Sequence, residues 1–111
     1  MKVKVTKEKV SIAEHSFINE GEYNVNFCTF ILPDEFKGLK VNAVFNNITV
    51  PVVNNSCTIP PLKSGNVFFG VFAYKEGEEK ASLIYSPKPV AFYVNSGSFN
   101  EEISEKSNIQ L

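Results

Sequence analysis

Residues 66–77, NVFFGVFAYKEG, set Val67, Phe69, Val71 and Ala73 at one parity and Phe68, Phe72 and Tyr74 at the other. Successive side chains of a strand point to opposite sides, so a strand here is apolar in both directions. It is the most apolar segment of the chain and is expected at the centre of a sheet. Its second face then needs a cover, either more of the same chain or a partner chain.

The rest of the sequence agrees with a β fold. Short runs of β-forming residues, punctuated by Gly, Pro and Asn, recur to about residue 97, and no sustained helical period precedes residue 98. Strands are expected over residues 2–6, 9–12, 23–32, 41–46, 48–53, 56–59, 66–75, 81–85 and 89–94. In residues 23–32 strict alternation of Tyr23, Val25 and Phe27 with Asn24 and Asn26 predicts a strand running from an edge into the core. Phe17 and Ile18 are expected to anchor the preceding loop. Pro33 stops that ladder, and Asp34 with Gly38 frames one helical turn. Asn46-Asn47 marks a hairpin, and Pro51 restricts the strand after it to an edge or to a non-donating position. Seven or eight short strands with turns every 8 to 12 residues predict an all-β sandwich or small barrel. Residues 1–97 are expected to form this domain. Residues 98–111 are read as a short helical or frayed tail, with Ser98 and Glu101 as a capping box and Phe99 and Ile103 on one helical face.

With 111 residues the chain holds a single core. Its net charge of −1, without a single arginine, offers nothing to nucleic acid, an anionic membrane or a phosphate ligand. No apolar segment of secretory-signal length follows Met1, and no run approaches the roughly 20 apolar residues of a membrane-spanning helix. Cys28 and Cys57 lie in apolar or strand-like runs and are expected to be buried, reduced, inert thiols.

No catalytic constellation emerges. The one imidazole, His15, stands in a polar loop, and nucleophilic hydrolysis needs a base with an orienting partner. Two cysteines and one histidine lack the paired spacing of a metal site. The acidic residues cluster in solvated runs, unlike the opposed carboxylates of a glycosidase. The expectation is a protein that is not an enzyme and has no cofactor. Aromatic stacking on a sugar through Tyr23, Tyr74 or Tyr93 stays open as an alternative, whereas base stacking lacks a basic groove.

Four segments in order, SFINEGEYNV, DEFKGLKVNAVF, CTIPPLKSGNVFFGVFAY and IYSPKPVAFYVNSGSF, carry a resemblance. They look like the N-terminal Ig-like β-sandwich of baseplate, tail-fibre or head-fibre proteins of phages and prophages of Firmicutes, from about residue 3 to Phe99. Many members have Trp where Phe36 stands here. The resemblance implies a virion structural protein made in the host cytoplasm and working by contact with capsid, baseplate or tail proteins. Such modules are commonly trimeric. Phe68, Phe72, Tyr74, Phe99 and Ile103 are the residues expected at an interface with other copies or virion partners. The alternative is a β-sandwich that recognises host surface glycans.

Overall fold

The computed structural model describes residues 1–77 and 81–96. Among these residues nine strands form, where seven or eight were expected, in chain order β1 (Lys2–Val5), β2 (Val10–Glu14), β3 (Phe27–Ile31), β4 (Lys40–Phe45), β5 (Ile48–Pro51), β6 (Ser56–Thr58), β7 (Gly65–Glu76), β8 (Ala81–Tyr85) and β9 (Val90–Val94). A 3₁₀ turn, Asp34–Phe36, joins β3 to β4, but Asp34 lies inside it instead of capping it, since Pro33 holds the N-cap position and no side chain caps the turn; Gly38 follows with φ of 77°. The capping box at Ser98 and Glu101, and the tail residues Phe99 and Ile103, lie outside the described residues.

Two sheets pack as a sandwich. One has the order β2-β1-β3-β6; the other has β5-β4-β7-β8, with β9 also on β7. The long central strand makes this possible, because its first half pairs with β9 and its second half with β8 along the same edge. Its other edge carries β4 over six residue pairs. The sequences β3-β6 and β5-β4-β7-β9 follow the B-E and C′-C-F-G order of an Ig sandwich. One departure is that β1 lies parallel to β3.

The core fills from the inner parity of each strand: Val3, Val5, Cys28 and Phe30 from one sheet, and Val41, Ala43, Phe45, Val67, Phe69, Val71 and Phe92 from the other. Phe69 is its centre. Its ring stacks on Phe45 at 5.0 Å, meets Phe92 edge-on at 5.8 Å, and reaches Phe30 of the opposite sheet at 6.2 Å. Phe36, half a chain away in sequence, stacks on Tyr85 at 5.3 Å and closes one end.

Two further expectations need correction. Residues 23–25 are not strand, and Tyr23, Val25 and Phe27 are exposed while Cys28 and Phe30 face inward. Asn24 adopts φ of 58°, and the Glu22 carboxylate gathers the Asn19 amide and the Asn26 side chain. This local polar knot replaces a ladder and shifts the buried parity by one residue. Ile18 anchors its loop as expected, but Phe17 is 89% exposed.

Candidate functional site

The outer face of the larger sheet gathers the residues that made β7 apolar on both sides. Directly opposed residues of paired strands share a face. Register sets Lys40, Asn42 and Val44 of β4 against Tyr74, Phe72 and Gly70 of β7. It sets Ala91 and Tyr93 of β9 against Phe68 and Asn66, and Leu83 of β8 against Tyr74. All of these point away from the core.

Gly70 explains how the two faces coexist. It is buried although it belongs to the outer row. A Cβ placed on it would stand 3.0 Å from Phe72 Cε2 and 3.1 Å from Phe68 Cε1. The two phenyl rings therefore fold across the bare glycine backbone and cover it from outside. Their own outer surfaces remain open: Phe68 is 43% exposed, Leu83 51% and Tyr93 56%, and Phe72 and Tyr74 are half-buried. No second layer among the described residues covers this face. A cross-strand ion pair, Lys40 Nζ to Glu76 Oε1 at 3.1 Å, borders it at the Tyr74 end.

Of the residues expected at an interface, Phe68, Phe72 and Tyr74 thus lie in one row, and Leu83, Ala91 and Tyr93 extend it. The sequence did not single out Leu83 or Ala91, since only pairing puts them beside β7. The three tyrosines proposed for sugar stacking are not brought together. Tyr93 sits opposite Asn66, eight residues from Tyr74 along β7, or about 26 Å at the usual strand rise. Tyr23 lies in the loop before β3, which is tied to the end of β9 through the Glu20 amide on the Asn95 carbonyl at 2.7 Å.

A second feature is a cleft of about 770 Å³ at the edge where the sheets part, walled by Phe30, Leu32, Phe36, Leu39, Val41 and Val52. Asp34, Lys37, Asn54 and Asn55 stand at its rim, with Asp34 paired to Lys37 at 3.4 Å in solvent. Its lining mixes these apolar walls with polar and charged groups and brings no nucleophile together with a base. His15 lies just past β2, exposed, with its ring 6.4 Å from Phe92. Among the described residues, no group of three or more His, Cys, Asp or Glu side chains could hold a metal ion. No helix there is long and apolar enough to cross a membrane.

Comparison with protein-family models returns no match. Comparison with curated proteins returns none either.

Proposed function

We propose that this chain is a non-enzymatic structural module of a phage virion that acts by protein–protein contact, and that another copy of the same chain seats on the outer face of its larger sheet. The observation that carries the reading is the continuous outer row of Phe68, Phe72, Tyr74, Leu83 and Tyr93, exposed or half-buried, on the larger sheet. The row is largely uncharged along its length, so like copies can approach without repulsion, and scattered surface charge leaves the net at −1. Burying one such aromatic contributes about 1.5–3 kcal/mol, and symmetry repeats the gain in every copy. The resemblance to fibre and baseplate modules favours a trimer, with its free end held by a capsid, baseplate or tail protein. Assembly in the host cytoplasm agrees with reduced cysteines.

Light scattering of the full chain over a concentration range tests this. The expected result is a mass above one chain that falls to one chain in Phe72→Glu. Because Phe72 also covers Gly70, Leu83→Lys serves as a second variant that leaves that cover intact. A single-chain mass at every concentration, or assembly unchanged in a folded Leu83→Lys variant, would overturn the reading.

A further inference from the structure

Cys28 of β3 and Cys57 of β6 stand directly opposite each other in the antiparallel ladder. Both are free and both belong to the core-facing row. Their place in the ladder follows from its neighbours. The Phe30 amide donates to the Asn55 carbonyl at 2.8 Å, and the Ile59 amide donates to the Asn26 carbonyl at 2.8 Å. Hydrogen-bonded pairs recur at every second position of such a ladder, so Cys28–Cys57, midway between these two, is also a hydrogen-bonded pair.

That position decides the chemistry. Hydrogen-bonded pairs hold their Cα atoms about 5.5 Å apart, inside the range that disulfides span. Their Cβ atoms, however, are more widely separated than those of the alternate pairs and exceed the roughly 3.8 Å of a relaxed bridge. A bond here can form, but only by pulling the two strands together, and strain makes a disulfide easier to reduce. We propose that Cys28 and Cys57 are a reversible redox pair that closes into a strained cross-strand disulfide. The inference stands on the ladder geometry and does not depend on which face of the protein docks.

β6 is the means of access. It has three residues and lies at the edge of its sheet, and short edge elements open at low cost. Cys57 is the entering thiol, being 7% exposed against 0% for Cys28. Contact with Cys28 also pulls its pKa down, while contact with Cys57 and burial push the Cys28 thiol up. The oxidant is a low-molecular-weight disulfide. The Cys57 thiolate attacks one of its sulphurs, forming a mixed disulfide and releasing a thiolate. Cys28 gives its proton to that thiolate, and its Sγ then attacks Cys57 Sγ. The mixed bond breaks, and the second thiolate leaves and takes up the proton that Cys57 had lost. The pair gives up two electrons and two protons, and the oxidant becomes two thiols. The bridge would tie β6 to β3 and close a loop that contains β4, β5 and the cleft.

The test is to equilibrate the folded, reduced full chain in mixtures of oxidised and reduced glutathione, quench with acid, alkylate, and read intact mass and joined peptides. The expected product is a monomer lighter by two hydrogen atoms, with the Cys28 and Cys57 peptides linked and with both thiols restored by excess reduced glutathione. Cys57→Ala should show no such loss. Two thiols that stay free, or glutathione left attached as the end product, would overturn the pairing. A bridge that survives excess reduced glutathione would overturn the strain on which its reversibility rests.

Discussion

At the scale of single residues, asparagine does conformational work. Asn24, Asn46, Asn54 and Asn55 all adopt positive φ, between 52° and 59°. Left-handed backbone costs other L-residues about 1–2 kcal/mol. Asn54 and Asn55 form the two-residue turn between Val53 and Ser56, whose amides and carbonyls bond reciprocally, as a turn with two left-handed residues requires. Asn55→Ala should therefore lower stability by about 1 kcal/mol, whereas Asn55→Gly should leave it level or raise it. Urea midpoints at constant slope measure the difference. Phe68 and Phe69 are neighbours with opposite fates. Phe69→Ala should cost about 3–5 kcal/mol because it empties the centre of the core. Phe68→Ala should cost far less, because its ring is only half covered. Equal losses in urea melts would mean that the outer face is as tightly packed as the inner one.

At the scale of elements, β7 organises the fold, and Asn46 ties the β4–β5 hairpin to it. The Asn46 amide donates to the Phe68 carbonyl at 2.8 Å, and its side-chain oxygen accepts from the Phe68 amide at 2.9 Å. Asn46→Gly keeps the turn conformation and removes only the side-chain bond, a loss of about 1 kcal/mol. Asn46→Ala loses the bond and strains the turn, so its cost should be greater. Hydrogen exchange at the Phe68 amide should quicken in both variants. An unchanged rate would show that this amide does not depend on Asn46. Element positions were largely legible in the sequence, because Pro, Gly and Asn mark where ladders must stop. Pro51 does fall on an edge strand. The start of β3 was not legible. Tyr23, Val25 and Phe27 alternate as a strand would, but the hydrogen bonds of Glu22 and the left-handed Asn24 are local polar choices that outweigh hydrophobic period.

At the scale of the whole molecule, the larger sheet leaves an extended apolar outer face and the sheets part at an edge cleft. The proposed assembly predicts that the concentration dependence of mass and of thermal stability move together, since a partner that binds only the folded state raises Tm by mass action. Thermal melts of the wild-type chain should rise with protein concentration, and those of Leu83→Lys should not. A concentration-independent Tm in both would count against self-association.

The sequence by itself determined the β class, the break points of most strands, the place of the helical turn before Gly38 and the inward set of β7, because these depend on side-chain parity and on backbone restrictions carried by each residue. Only the tertiary structure decided which strands are neighbours. Register is a relation between distant segments, and no local pattern contains it. It placed Leu83 and Tyr93 in the same outer row as Phe68, folded two rings over Gly70, and set Cys28 against Cys57 at a hydrogen-bonded position.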